Sequence, residues 1–322
     1  KVGKTTLLLY LAMRFALMGI PILFLDTEMS GEEVASRELS NVAVLDEHRL
    51  LASKYLDDGN EVASVQSAIA AIKGAPFFYT SIAGKRPEFA LSMMRQFRNR
   101  HVGTQTIMVN GRELAITGKC AVFYDWLRLP AGMMADAKEY QLLGELCTAL
   151  KDGARALHLP VIAGAQQNRA AIGVKDEADH IDNAEATVSG SDRLAMFCSA
   201  LCILRNPSLA MQNAIDSNPL FAKKRPGEDS QTWLFNQIFQ IVFQRQGREY
   251  RYGIPFYLDR GRARYEEVGT KDAMNFLKQY VTGRKVEAQE TPLGHLAANS
   301  PPDSSPKTTT THPPAHTRRR KK

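Results

Sequence analysis

The sequence predicts an α/β fold with a mostly parallel central sheet, and three observations lead there. Short continuous apolar runs recur at Pro21–Asp26, Cys120–Asp125 and Leu159–Ala165. Such runs suit strands buried on both faces. Helical stretches separate them, which implies right-handed crossovers between parallel strands. The chain also opens on Lys1-Val2-Gly3-Lys4-Thr5-Thr6, and an apolar helical run follows from Leu7 to Met18. A tight turn ending in G-K-[ST] and leading into a helix is the closing half of a phosphate-binding loop. Its first glycine would lie upstream of residue 1.

The elements follow in order. Residues 5–18 read as a helix ended by Gly19, and Pro21–Asp26 as the first strand. Ser30 reads as an N-cap, with Glu33 completing a capping box for a helix through about Val44. Two more helical stretches are expected at 46–56 and 60–73, then a strand over 76–80. Pro87 opens a helix running to about Arg100. Thr106-Ile-Met-Val and Arg112-Glu-Leu-Ala-Ile flank Asn110-Gly111. That pair tolerates a type I′ turn, so 104–117 reads as a β-hairpin inserted at the surface.

Cys120–Asp125 is a strand ending in a carboxylate. A helix is expected over 138–157, where Leu142, Leu143, Leu146, Leu150 and Leu157 lie near one face. Leu159–Ala165 is the next strand. Residues 167–190 read as a polar loop, 191–197 as a short helix, 200–204 as a strand and 205–232 as a mobile loop. Strands over 238–244 and 252–258, with Gly247 at the turn, and a helix over 271–282 complete the body. From Lys285 onward Pro, Ser and Thr dominate, and too little apolar surface remains to offset the entropy of ordering. The expected division is a domain over 1–284 and a disordered basic tail over 285–322.

At 322 residues, with 44% hydrophobic and 23% charged residues, the composition suits a globular protein. No run of about 18 apolar residues occurs, so no membrane span is expected. No signal peptide is visible, although the chain begins inside a motif and an upstream segment stays open. Cys120, Cys147, Cys198 and Cys202 lie in apolar stretches without a C-x-x-C pair. They read as buried reduced thiols of a cytosolic protein and not as a metal site. The net charge is +7. The tail ends in Arg318-Arg-Arg-Lys-Lys322 and carries more than half of that excess. A polyanion partner is permitted by this balance but not required.

In open α/β sheets ligands bind at the carboxyl ends of the strands. Gly3, Lys4, Thr5 and Thr6 would cradle phosphate, with Lys4 reaching the β- and γ-phosphates and the Thr5 hydroxyl holding Mg²⁺. Glu28, just past the first strand, could polarise water as a general base. Asp125 ends an apolar strand as a Walker B carboxylate does, holding Mg²⁺ through water. Gln166 could sense a phosphate by hydrogen bonding. Arg245 could serve a neighbouring subunit's nucleotide as an arginine finger. The plainer alternatives are a loop acid, a capping aspartate, loop polarity and a salt-bridged surface arginine. The ordered set favours one nucleotide site on one sheet.

Thr27-Glu28-Met29-Ser30, Val122-Phe-Tyr-Asp125-Trp-Leu-Arg-Leu129 and Leu159-Pro-Val-Ile-Ala-Gly-Ala-Gln166-Gln-Asn-Arg169 together resemble the RecA-like motor domain of DnaB-type replicative helicases. Ser189-Gly190-Ser191-Asp192 is similar to that family's Glu-Ser-Gly-Ser segment, and Gln244-Arg245-Gln246-Gly247 to its finger motif. The resemblance covers about residues 1–268 and lies nearer the phage branch. It implies a RecA-like P-loop NTPase core, ATP and Mg²⁺ as cofactors, and roles for Lys4, Thr5, Glu28, Asp125, Gln166 and Arg245 as above. It also implies Arg37 near the nucleotide.

The same resemblance implies a homo-hexamer acting on single-stranded DNA in the cytoplasm of a bacterial cell or phage-infected host. A primase or a helicase loader is left open as a partner. Two departures stand out. Phe243 replaces a family lysine two residues before the finger, and Thr187 replaces an arginine. One positive charge is then missing or supplied elsewhere, and DNA contact would shift to Arg169, Lys175, Arg193 or the backbone around Gly190. Without the first half of the phosphate loop, this chain is expected to be a weak ATPase. The rival readings are a RecA- or KaiC-like DNA-stimulated ATPase that does not unwind, and a nucleotide-independent DNA-binding or scaffolding module.

Overall fold

The computed structural model describes residues 2–101, 104–109, 111–117, 119–128, 139–166, 194, 196–217, 235–245, 250–267, 274–280 and 282. Helix α1 (Lys4–Leu17) starts at Gly3, which sits at φ 95°, and stops before Gly19 at φ 87°. Both angles lie where glycine alone carries no Cβ penalty. Strand β1 (Ile22–Asp26) follows, then α2 (Gly31–Ala43). Ser30 caps α2 as expected: its side chain accepts from Glu33 N, and Glu33 returns the bond to Ser30 N at 2.8 Å. The helical reading of 46–56 is broken in two, α3 (Glu47–Leu51) and a 3₁₀ turn over Lys54–Asp57, because Ser53 takes a left-handed φ of 56°. Helix α4 (Gly59–Gly74), strand β2 (Phe77–Ser81) and helix α5 (Pro87–Arg100) match the expectation.

Strands β3 (Thr104–Val109) and β4 (Arg112–Thr117) form the expected antiparallel hairpin, with Gly111 at φ 76°. Strand β5 (Ala121–Asp125), helix α6 (Glu139–Leu157) and strand β6 (Val161–Ala163) complete the first sheet. Its order is β2-β1-β5-β6, all parallel. Alternation along β1 and β5 sends successive side chains to opposite faces. Leu23, Leu25, Val122 and Tyr124 pack with Met94 and Phe97 of α5 and Leu146 and Leu150 of α6. Ile22, Phe24, Ala121 and Phe123 pack with Leu8, Leu9, Ala12 and Met13 of α1. Apolar cover on both faces is why these strands read as unbroken apolar runs and not as alternating ones.

The second half departs from the single sheet inferred from the sequence. Strands β7 (Ala200–Arg205), β8 (Gln237–Gln244), β9 (Tyr250–Asp259) and β10 (Arg264–Glu267) form a separate antiparallel sheet ordered β10-β9-β8-β7. It joins the first through shared core: Ile203 and Val242 enter the cluster of α5 and α6, while Leu204, Leu258 and Tyr265 pack on Leu7 of α1. Helix α7 (Leu209–Asp216), capped by Ser208, occupies part of the segment read as a mobile loop. Its Met211 and Ile215 bury against Phe235, Ile238 and Leu277, the last from a helical stretch over 274–280. An apolar pair at i and i+4 decided this helix against the polar composition around it. The four cysteines are free, but only Cys120 and Cys147 are buried; Cys198 is half-buried and Cys202 exposed, which corrects the uniform burial expected. Residues 285–322 lie outside the described residues.

Candidate functional site

Strand pairing brings the predicted residues together. β1 and β5 pair in register, so Asp26 stands opposite Asp125 at the carboxyl end of the sheet. Both strand runs are apolar until that last residue, and both aspartates are nonetheless buried, at 0% and 2% exposed. Each has a different use. Asp26 accepts from Glu28 N and Met29 N, both at 2.9 Å. It thereby shapes the loop that carries Glu28. Asp125 Oδ1 has no hydrogen bond. Burial pushes the Asp125 carboxyl up to about 6, with the Thr5 hydroxyl and the Lys4 ammonium opposing that rise.

Lys4 reaches the same place from the first turn of α1. Its Nζ donates to the Ala165 carbonyl at 2.7 Å and lies 5.7 Å from the centre of the Trp126 ring. Burial lowers its pKa, while Asp125 and Glu28 work in the opposite direction. Gly164 lets the end of β6 come this close. A Cβ there would meet Leu8 Cδ1 at 3.1 Å and Asp125 Oδ1 at 3.3 Å.

Glu28 stands at the rim, half exposed, in an ion pair of 3.5 Å with Arg128. Exposed pairs of this kind contribute about 0–1 kcal/mol, so the carboxylate is easily released. Arg128 in turn lies over the Trp126 ring at 5.9 Å. Gln166 is exposed and directly follows Ala165, whose carbonyl holds Lys4. Arg37 of α2 lines a small cleft with Thr6, Tyr10, Glu38, Asn41 and Ala263, so it does lie beside the phosphate loop. Arg169, Lys175, Gly190 and Arg193 lie outside the described residues.

Arg245 is elsewhere. Its backbone N–H donates to Ser199 O at 2.9 Å, and its guanidinium donates to Met196 O at 2.6 Å. Ser199 is also held by Lys151 in the second half of α6. That helix runs back to the amino end of the parallel sheet, handing over to β6 at Leu159. Arg245 therefore sits in the antiparallel sheet, away from Lys4 and Asp125, and the single-sheet placement inferred for all four strand ends is corrected.

Two neighbours of the site escaped the sequence reading. Tyr265 of β10 is 1% exposed and donates its phenol to Gly3 O at 3.1 Å. Glu38 is 2% exposed with neither carboxylate oxygen hydrogen-bonded. Burial raises its pKa well above the ordinary glutamate value. Neither carries a motif. Only the periodicity of α2, which puts Glu38 on the face of Val34 and Asn41, hinted at burial.

The residues fit a divalent cation and a phosphate chain. A buried, unbonded carboxylate oxygen beside a threonine hydroxyl is what a hydrated Mg²⁺ would complete. Lys4 and the amides entering α1 present positive charge to an anion.

Comparison with known proteins agrees. The model of the DnaB-like helicase C terminal domain family matches residues 1–183. The replicative DNA helicases DnaB of two Helicobacter pylori strains are 26% and 27% identical over 167 residues. That stretch is 52% of this chain and 31% of those relatives' length. The solved ATPase domain of a phage helicase matches with a TM-score of 0.63 at 16% identity, covering 83% of this chain and 81% of that one. A DnaB-like replicative helicase, described together with its interactions with primase, matches with a TM-score of 0.61 at 16% identity. There 82% of this chain and 54% of that one are covered.

Proposed function

The chain belongs to the DnaB-like helicase C-terminal domain family, and from this we propose that it is the ATP-hydrolysing motor of a replicative DNA helicase. The observation that carries the reading is the convergence of Lys4, Thr5, Glu28 and Asp125 on one end of the parallel sheet. In this reading Lys4 and the amides at the start of α1 bind the β- and γ-phosphates of ATP. Thr5 and Asp125 hold Mg²⁺, which when bound neutralises charge on the phosphates. Glu28, released from Arg128, takes a proton from the attacking water, and Gln166 hydrogen-bonds the γ-phosphate. Trp126 covers Lys4 and limits water at that charge.

Arg245 cannot serve its own chain's site from the antiparallel sheet. It suits a finger presented to the next copy in a head-to-tail ring. Arg169, Lys175, Gly190 and Arg193 would face single-stranded DNA in the channel, and the ring would be a homo-hexamer. A primase or loader is the partner class this family suggests. Residues 1–284 form the motor and 285–322 a basic tail in the same reading.

The test is ATP hydrolysis with and without single-stranded DNA, beside strand displacement on a forked duplex. DNA-stimulated hydrolysis with displacement supports the motor. Stimulated hydrolysis without displacement makes the chain a translocating or filament-forming ATPase. ATP affinity unchanged by Lys4→Ala overturns the nucleotide site itself.

A further inference from the structure

Lys151 and Arg245 share one anchor. The Lys151 ammonium donates to Ser199 Oγ at 2.5 Å, while the Arg245 backbone N–H donates to Ser199 O at 2.9 Å. The Arg245 guanidinium is fixed in turn by Met196 O. Neither cation forms an ion pair with a carboxylate among the described residues. Two like charges are thus held side by side on neutral oxygens at the surface. Such a pair is relieved only by an anion that meets both. The anchors fix both groups before that anion arrives, and preorganised charge of this kind stabilises developing negative charge most. Phe243, two residues before Arg245, supplies no charge there.

We propose that Lys151 is a second cation which, together with Arg245, contacts the nucleotide phosphates of the neighbouring copy of this chain. The proposal rests on the motor reading above. A phosphate chain of a second copy fits better than a nucleic acid strand for a geometric reason. The pair lies off the Lys4–Asp125 end, so a head-to-tail contact brings one copy's pair to the next copy's site, and repetition closes a ring. Lys151 then shares with Arg245 the charge that builds on the γ-phosphate oxygens as the bond to the β-phosphate breaks.

The experiment uses the full chain with ATP and Mg²⁺. Lys151→Gln is expected to lower kcat about 10- to 100-fold with little change in KM. Lys151→Arg is expected to keep most of the activity, because the charge is retained. Mixing Lys151→Gln with Lys4→Ala chains is expected to give more activity than either alone, since the Lys4→Ala chain lends its intact pair to its neighbour. The same mixture with Arg245→Gln serves as the reference. If Lys151→Gln keeps kcat within twofold while Arg245→Gln loses it, the proposal falls and the motor reading stands. If Arg245→Gln is complemented and Lys151→Gln is not, Lys151 acts within its own chain and the proposal again falls. If neither is complemented, the trans placement of the pair is wrong. If Lys4→Ala leaves hydrolysis intact, the motor reading itself fails. A Lys151→Gln loss confined to the salt dependence of single-stranded DNA binding would reassign the pair to DNA.

Discussion

The Tyr265 phenol donates to the Gly3 carbonyl at 3.1 Å, across 262 residues of sequence. The same carbonyl accepts from Leu7 N at 2.9 Å, the first bond of α1. The last strand of the antiparallel sheet therefore clamps the turn from which Lys4 and Thr5 project. A Cβ on Gly3 would meet Tyr265 Oη at 2.7 Å and Leu258 Cδ2 at 2.8 Å, at a φ of 95°. Gly3→Ala is expected to cost about 1–3 kcal/mol by urea unfolding. Tyr265→Phe should cost only about 0.5–1.5 kcal/mol, since the ring stays packed and one hydrogen bond is lost. Equal costs for the two variants would count against the clamp.

Lys4→Ala removes a charge-assisted donor from the phosphate site. ATP affinity is expected to fall about 10- to 100-fold, measured by fluorescence titration of a labelled nucleotide. Thermal stability without nucleotide should change little, because Lys4 gives up favourable hydration to sit where it does and gains one bond to Ala165 O in return.

Glu28→Gln keeps the shape of the rim and removes the base. Hydrolysis should fall about 10²- to 10⁴-fold with nucleotide affinity unchanged. Arg128→Ala breaks the 3.5 Å ion pair. It should leave stability within about 1 kcal/mol, read by thermal melting, because both partners are half exposed. A parallel loss of affinity in Glu28→Gln would show that the carboxylate supports binding and not the chemical step.

Glu38 gives a pH dependence whose sign is fixed. Burial raises its folded pKa, so between the unfolded value and the folded one the native state holds more protons than the unfolded state. Its contribution to stability is then full at low pH and is lost as pH rises through the folded pKa. Arg37 on the same helix and Thr6, Tyr10 and Asn41 are the charged and polar neighbours in its cleft. Glu38→Gln should melt higher than wild type at pH 8 and show no advantage at pH 4. A constant difference across that range would mean that Glu38 does not titrate there.

How much of this could be read in advance differs from residue to residue. Lys4, Thr5 and Asp125 were legible because each ends or begins a strongly patterned element, and the chemistry of phosphate and Mg²⁺ requires those groups at such ends. Their convergence followed from the parallel order of the strands. Arg245 was found by motif but assigned to the wrong sheet, since an apolar run does not state whether its partner is parallel or antiparallel. Helix α7 was hidden by the polar composition of 205–232, and what fixes it is a small core with Phe235, Ile238 and Leu277. Such a core joins segments far apart in the chain and leaves no local trace.

By itself the sequence determined the alternation of helices with buried strands, the capping box at Ser30 and the residue types of the phosphate site. These are local matters, set by side-chain periodicity, capping chemistry and the φ angles glycine permits. Tertiary structure alone decided that the strands divide between two sheets, that Tyr265 closes on Gly3, that Glu38 is buried beside Thr6, and that Lys151 joins Arg245 on Ser199. Each of those depends on which distant surfaces pack together. Burial free energy summed over the whole chain settles that, and no window of neighbouring residues contains it.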